Sequence, residues 1–161
     1  NELIAYSYSH LYGLHTTGLR YFTVYGPWYR PDMAMFIFTQ KIMAEKPIPV
    51  FNNGDMKRDF TYIDDIISGT RSAIEKNYKC EIFNLGNSKS ENLMELIGIL
   101  ENNLGKKAQI EYLPLQPGDV KESLADIKRS TEKLGYKPIT TINKGIPQFI
   151  KWYKEYYSVL I

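Results

Sequence analysis

Side chains that could carry out chemistry unaided are sparse in this sequence and form no recognised motif. His10 and His15 are isolated, and such histidines are more often surface or helix-end residues than catalytic groups. Cys80 directly precedes a predicted strand, where it is better interpreted as a small buried apolar residue than as a nucleophile. The sequence has no glycine-rich phosphate loop, no metal-ligand spacing and no Gly-x-Ser-x-Gly turn. We therefore expect no self-contained catalytic centre and no metal site.

Composition indicates one ordinary globular unit. The chain has 161 residues, 43% of them hydrophobic, and 20 basic against 18 acidic side chains give a net charge of +2. The basic residues are scattered, which argues against a nucleic-acid or membrane partner. There is no apolar run of about 18 residues, the length that a membrane-spanning helix needs. The single cysteine favours a reducing, cytoplasmic setting.

Helical and strand patterns alternate along the chain, which predicts a mixed α/β unit. The final helix has an apolar stripe from Ile142 to Tyr156, and Gly105 should end the helix at 93–104. The other predicted helices lie at 1–12, where Gly13 ends the helix, at 33–45, after Asp64-Asp65 to about Lys76, at 93–104, and within 123–135. The predicted strands are Leu19–Tyr25, Ile48–Phe51, Arg58–Tyr62, Glu81–Leu85 and Gln109–Leu113.

The first residues are typical of the end of a helix rather than of a natural start. Leu3, His10 and Leu11 follow helical spacing towards Gly13, but no capping residue begins the segment and there is no initiator methionine. We expect the chain to be a fragment of a longer protein.

Four segments carry a family resemblance through their order and spacing. They are RYFTVYGPWYRPDM at 20–33, KRDFTYIDD at 57–65, FNLGN at 83–87, and QPGDV at 116–120 followed by Ala125-Asp126. Together they resemble the extended short-chain dehydrogenase/reductase family, most closely its UDP-glucuronate 4-epimerases. The resemblance covers essentially the whole chain.

The resemblance implies a fold and a role for each part of the chain. The chain would be the C-terminal, substrate-binding portion of a Rossmann-type enzyme, a mixed small sheet with flanking helices. Residues 1–13 would be the tail of the catalytic-domain helix. Residues 14–161 would form the nucleotide-sugar portion, including the last strands of the Rossmann-type domain. The family's catalytic Tyr-x-x-x-Lys would lie upstream of Asn1, so the chain alone should be inactive and should bind its NAD cofactor negligibly. The parent is expected to be a homodimer.

The strand ending at Tyr25 is expected at the mouth of the ligand site, because ligands of open α/β sheets bind beyond the carboxyl ends of strands. By resemblance, Tyr21 and Val24 line the nicotinamide and Thr23 donates a hydrogen bond to the substrate. Alternatively, Tyr21 and Val24 are ordinary inward-packing strand residues.

Two further segments should hold the nucleotide. Arg58 is the candidate diphosphate ligand, since a guanidinium matches phosphate oxygens bidentately; the alternative is local pairing with Asp59 or Asp64. Asp119 follows a Pro-Gly turn and should accept hydrogen bonds from the ribose, unless it only stabilises its own turn. Gln116 is a candidate for the phosphate or ribose.

Aromatic and apolar positions complete the expected nucleoside site. Phe51 should form a wall for the uracil ring. Phe36 and Thr39 are candidates for contacts with the same nucleoside, although a phenylalanine at helical spacing is usually a core residue.

By resemblance, Arg30 would distinguish the acidic sugar from neutral ones. It lies in the loop after the strand, and in the resembled epimerases this arginine meets the carboxylate of the uronic acid. A solvated loop arginine is the alternative. Tyr29 stands where the family usually has glycine, which could shift Arg30.

The function implied is interconversion of UDP-glucuronate and UDP-galacturonate by oxidation and re-reduction at C4. A UDP-glucuronate decarboxylase or a nucleotide-sugar 4,6-dehydratase would share Arg58 and Asp119. A stand-alone nucleotide-sugar-binding module and a structural partner-binding domain remain as alternatives of another class.

Overall fold

A computed structural model describes residues 1–157 of the chain. Within this range the helices are α1 (Glu2–Tyr12), α2 (Ala34–Met43), α3 (Ile63–Lys76), α4 (Leu93–Leu104), α5 (Lys128–Leu134) and α6 (Ile142–Tyr156). The strands are β1 (Thr16–Tyr21), β2 (Thr23–Tyr25), β3 (Ile48–Phe51), β4 (Lys57–Tyr62), β5 (Cys80–Leu85), β6 (Ser90–Asn92) and β7 (Ile110–Leu113). The predicted range 14–161 includes residues 158–161, which lie outside the described residues.

The strands form three small sheets, which confirms the predicted mixed α/β architecture. β1 pairs in parallel with β5, and β3 pairs in parallel with β7. β4 lies between β2, to which it is parallel, and β6, to which it is antiparallel. Helices flank these sheets, and no helix within residues 1–157 has the length and apolar character needed to cross a bilayer.

The prediction of one strand over Leu19–Tyr25 is wrong, because the chain changes sheet at Phe22. The Phe22 N–H still donates to the Leu85 carbonyl of β5, at 3.3 Å. The Val24 N–H then donates to the Phe22 carbonyl at 2.9 Å, which bends the chain, and Thr23 begins the pairing with β4. Pairing with two different neighbours therefore divides the predicted strand into β1 and β2.

Most other predicted elements are confirmed, with two differences. Helices end at Gly13 and Gly105 as expected. The short strand β6 was not predicted, because Ser90–Asn92 contains no β-branched or aromatic residue. Helix α3 begins at Ile63, so Asp64 and Asp65 lie inside its first turn rather than before it.

Two apolar clusters form the core. The larger joins α2, α4 and α6 to β3 and β4, with Met35, Leu100 and Phe149 fully buried. The smaller packs α3 and α5 against β5 around Phe83 and Leu85. By contrast, α1 exposes most of its large side chains: Leu3, Ile4, Tyr6, Tyr8, Leu11 and Tyr12.

A buried carboxylate on β4 joins three separate segments. Asp59 is fully buried, and its Oδ1 accepts hydrogen bonds from the Asn87 N–H at 2.6 Å and the Thr61 hydroxyl at 3.1 Å. Its Oδ2 accepts from the N–H groups of Ser88 and Ala125, at 3.0 and 2.9 Å. Asp59 thus ties the loop after β5 and the segment before α5 to β4.

We expect Asp59→Asn to lower the free energy of unfolding by about 3 kcal/mol, because it turns one accepting oxygen into a donor that faces backbone N–H groups. Asp64→Asn is the matched control: Asp64 is exposed in the first turn of α3, so its loss should cost less than about 1 kcal/mol. Urea unfolding of both variants makes the comparison, and equal losses would contradict this account of Asp59.

Helix α5 is held to β5 by an ionic contact. The Glu81 carboxylate accepts hydrogen bonds from the side chains of Lys133 and Arg129. The hydrogen bond from Lys133, followed by that from Arg129, lowers the pKa of Glu81 against the opposing effect of desolvation.

Glu81→Gln should therefore reduce stability by about 1 kcal/mol at neutral pH. A lowered carboxyl pKa stabilises the fold above the unfolded value of about 4.3, and this stabilisation is lost as the pH falls through the folded pKa. The difference between the variant and the unchanged chain should vanish on acidification, as measured by thermal unfolding at several pH values. A difference independent of pH would count against an ionic role.

Candidate functional site

Five of the ten predicted site residues surround one cavity of about 430 Å³, here called the Arg58 cavity. They are Thr23, Phe51, Arg58, Gln116 and Asp119. The cavity lies among β3, β4, the start of α2 and the turn at 116–119. Its apolar walls come from Met33, Ala34, Ile37, Phe38, Pro49, Phe51, Met56, Phe60 and Leu93. The cavity thus combines apolar walls with the polar groups of Arg58, Gln116 and Asp119.

Arg58 is held in place by three acceptors. Its Nη2 donates to Asp119 Oδ1 at 2.7 Å, and its Nη1 donates to the carbonyls of Lys57 and Lys121 at 2.8 and 3.2 Å. The side chains of Arg58 and Asp119 are only 20% and 35% exposed. The expected alternative partners, Asp59 and Asp64, are not used. The guanidinium is therefore preorganised before any ligand arrives.

The turn carrying Gln116 and Asp119 presents its carboxylate to two donors. The Asp119 N–H donates to the Gln116 carbonyl at 3.1 Å, which closes the turn. Asp119 Oδ1 accepts from the Val120 N–H at 2.8 Å as well as from Arg58. Asp119 thus stabilises its own turn and orients Arg58 at the same time.

A second cavity, of about 520 Å³ and here called the Tyr21 cavity, adjoins the first. It holds the other three predicted residues that face open space: Tyr21, Val24 and Arg30. Its remaining walls are Phe22, Tyr25, Pro27, Trp28, Tyr29, Met33, Ile63, Ile66, Ile67 and Thr70. Tyr29 and Met33 line both cavities and form the wall between them.

Thr23 lies where the two cavities approach each other. It lines the Arg58 cavity and also an open groove that contains both Tyr21 and Arg58. The break at Phe22 creates this arrangement, because it sends Tyr21 to the end of one strand and Thr23 to the start of another. The Tyr21 hydroxyl is within hydrogen-bond distance of Thr70 Oγ1, at 3.1 Å.

Arg30 projects into solvent and is bound by a neighbouring carboxylate. Its Nε and Nη2 donate to Asp32 at 3.1 and 2.6 Å, and the two side chains are 72% and 60% exposed. The hydrogen bond from Arg30 lowers the pKa of Asp32. Tyr29 itself is buried, its pKa is raised by desolvation, and the residue with positive φ is Trp28 instead.

The structure does not place Phe36 and Thr39 on either cavity, which corrects their predicted nucleoside contacts. Phe36 is buried against Tyr153, with ring centroids 5.3 Å apart. Thr39 is fully buried and donates to the Met35 carbonyl at 2.8 Å. The reason is the orientation of α2: Met33 and Ile37, one turn apart, face the cavity, so Phe36 and Thr39 face the core.

Sequence reasoning missed several residues that shape the site. Asp32, Met33, Met56 and Leu93 line the Arg58 cavity without having been proposed. A signal existed for one of them: Asp32 stands two residues after Arg30, and opposite charges at that spacing in a loop indicate a local ion pair.

Comparisons with known proteins give a consistent family. The sequence model of the NAD-dependent epimerase/dehydratase family matches residues 1–86. A UDP-glucuronate 4-epimerase from Thermodesulfobacterium geofontis is 46% identical over 155 residues, covering 96% of this chain and 48% of that protein. The chain spans about half the length of the curated relatives it matches.

Solved structures agree with this relationship. The UDP-glucuronic acid 4-epimerase of Bacillus cereus, in complex with UDP-glucuronic acid and NAD, is 36% identical with a TM-score of 0.91. The match covers 97% of this chain and 50% of that one. A Thermotoga maritima UDP-glucose 4-epimerase with UDP-glucose is 29% identical, with a TM-score of 0.89, and the match covers 97% of this chain and 51% of that one. The Rossmann-type fold class inferred from the sequence is thereby confirmed.

Proposed function

The chain belongs to the NAD-dependent epimerase/dehydratase family, and from this premise we propose that it forms the nucleotide-sugar-binding part of a UDP-glucuronate 4-epimerase. The observation that carries the proposal is the convergence of Thr23, Phe51, Arg58, Gln116 and Asp119 on one cavity. The relatives named above support the choice of reaction.

The chemistry of the Arg58 cavity suits a uridine diphosphate group. Its volume of about 430 Å³ falls within the range usual for small-molecule sites. Phe51, Met56 and Leu93 offer apolar surface to a flat base. Arg58, already fixed by Asp119, would bind the diphosphate, and the carboxylate of Asp119 and the amide of Gln116 would meet the ribose.

The Tyr21 cavity suits the sugar and the reactive end of the cofactor. NAD, when bound, would supply the hydride acceptor for C4. The apolar side chains of Val24, Ile63 and Ile66 fit the flat face of a nicotinamide ring, with Tyr21 beside them. The sequence has no glycine-rich loop for the pyrophosphate, so this chain matches only that one end of the cofactor.

Arg30 would select the acidic sugar. It is the guanidinium of the Tyr21 cavity, and a uronate carboxylate would replace or share its contact with Asp32. A decarboxylase of the same substrate would use Arg30 in the same way, whereas a dehydratase acting on a neutral sugar would not need it.

The proposal also assigns the remaining parts of the reaction. The sequence contains no Tyr-x-x-x-Lys, so the proton-transfer residues would come from the part of the family's length that this chain does not span. Residues 1–13 would be the end of the helix that carries them. The exposed apolar side chains of α1 support coverage by further protein, and a homodimer is part of the proposal.

The assignment of the nucleotide to the Arg58 cavity and of the nicotinamide to the Tyr21 cavity predicts which ligands the isolated chain binds. UDP should bind weakly but measurably, because the Arg58 cavity is complete, whereas NAD binding should be negligible, because the cofactor would reach only the Tyr21 cavity. Isothermal titration calorimetry with UDP, NAD and AMP tests this. Micromolar affinity for NAD, or no binding of UDP at millimolar concentration, would refute the assignment.

Two arginine variants separate the anchoring role from the selecting role. Arg30→Gln should weaken UDP-glucuronate binding about three- to tenfold while leaving UDP-glucose unchanged, since a solvent-open charge-assisted contact is lost. Arg58→Gln should weaken both ligands and UDP alike, because all three share the diphosphate. Affinities by titration calorimetry give the ratios.

Matched controls sharpen this comparison. Asp32→Asn removes the carboxylate that competes for Arg30, so it should strengthen binding of UDP-glucuronate and not of UDP-glucose. Lys57→Gln removes an exposed charge next to Arg58 and should have little effect on any ligand. If Arg30→Gln left the preference between the two sugars unchanged, the choice of glucuronate would fail and a nucleotide-sugar site of unspecified sugar would remain.

A further inference from the structure

The loop that carries Arg30 contains a residue in an unfavourable backbone conformation. Trp28, between β2 and α2, has φ of 64°, in the left-handed region. A bulky side chain in this region is a steric outlier and persists only where surrounding contacts hold it. Its side chain is nevertheless 72% exposed, so few contacts are available to hold it.

Those contacts come from the last turns of helix α6. The Trp28 ring lies 5.5 Å from the ring of Trp152 and 4.9 Å from that of Tyr156, in tilted and edge-to-face arrangements. Trp152 and Tyr156 in turn stack on each other, with centroids 5.5 Å apart and planes at 20°. The edge-to-face arrangement of Trp28 and Tyr156 is one that aromatic pairs prefer.

Helix α6 also holds the residues on either side of Trp28. Tyr29 packs edge-on against Phe149, with centroids 5.9 Å apart. Before the loop, the Tyr25 hydroxyl donates to the Thr141 carbonyl at 3.2 Å, and a β-carbon at Gly145 would overlap the Tyr25 ring. Tyr25, Trp28 and Tyr29 thus contact successive positions along α6 and its N-cap, and Arg30, the next residue, lines the Tyr21 cavity while it is paired with Asp32.

We propose that Trp152 and Tyr156 are positioning residues for Arg30. By packing against Trp28, they fix the loop at 26–33 in the conformation that presents the guanidinium to the sugar carboxylate. The inference rests on the proposed function, which assigns Arg30 to the carboxylate of the sugar. It deepens that function by making the C-terminal helix, which lines neither cavity, a determinant of sugar preference.

The first arm of the test needs no ligand. The chain has two tryptophans, and they are the two that form this contact, so fluorescence reports on it directly. With Trp152 replaced, Trp28 is the only tryptophan, and excitation selective for tryptophan reports on it alone. Time-resolved anisotropy should show a larger fast component in Trp152→Ala than in Trp152→Phe, which keeps an aromatic ring, and a further increase when Tyr156→Ala is added. Equal mobility of Trp28 in all three variants would show that Trp152 and Tyr156 do not hold it, and would overturn the inference.

The second arm measures sugar preference in the same chain. Trp152→Ala should reduce the affinity for UDP-glucuronate relative to UDP-glucose by about two- to tenfold, the factor corresponding to an ordinary aromatic contact, while UDP affinity stays the same. Trp152→Phe should restore most of the preference. Tyr78→Ala is the control for a general loss of stability, since Tyr78 packs against Phe83 in the smaller core cluster.

The outcomes distinguish this inference from the proposed function. Equal weakening of all three ligands in Trp152→Ala, or the same loss of preference in Tyr78→Ala, would show a structural role only and overturn the inference. No UDP binding by the unchanged chain would instead overturn the proposed function. The positioning role of Trp152 and Tyr156 would fall with it, because that role presupposes the sugar site.

Discussion

The buried carboxylate of Asp59 is the interaction on which the candidate site depends. Successive side chains of a strand point to opposite faces, so fixing Asp59 inside the protein directs Arg58 outward to the cavity. Its acceptor oxygens also bind the Ser88 and Ala125 N–H groups, which brings two distant segments against β4. Gly86 is required there, because a β-carbon would overlap Ala125. A purely structural residue thus orients the most important proposed binding residue.

The break at Phe22 makes two cavities out of what would otherwise be one strand end. A continuous strand would place Tyr21 and Thr23 on the same face of one sheet. Because β1 pairs with β5 whereas β2 pairs with β4, Tyr21 faces one cavity while Thr23 faces the other. Under the proposed function, this separation lets one short segment contact both the reactive part of the ligand and its nucleotide.

Local pattern and family resemblance predicted much of this molecule, and the failures have a common physical cause. Arg58, Asp119 and Phe51 line one cavity, in keeping with motifs that carry information beyond helix and strand spacing, and the ligand contacts assigned to them stay predictions. Phe36 and Thr39 lie away from both cavities because the rotation of α2 about its axis is set by its packing against α4 and α6. The division at Phe22 depends on which neighbour each half of the segment pairs with, and no local pattern encodes this choice. For the same reason the sequence did not reveal that Arg58 pairs with Asp119.

The two proposed ligand-binding arginines are both paired with aspartates, but they differ in how firmly they are held. Arg58 is mostly buried and makes three hydrogen bonds, two of them to acceptors of the distant segment at 119–121 and one to the carbonyl of the adjacent Lys57. Arg30 has one exposed partner two residues away, and such a pair contributes little to stability. A reaction that inverts one carbon of the sugar must present both faces of the ring while the diphosphate stays in place. A rigid arginine at the diphosphate and a weakly held arginine at the sugar are the combination that this requirement calls for. Under the proposed positioning role of Trp152 and Tyr156, the contacts of Trp28 and Tyr29 with α6 would limit the movement of the second arginine mainly to its side chain.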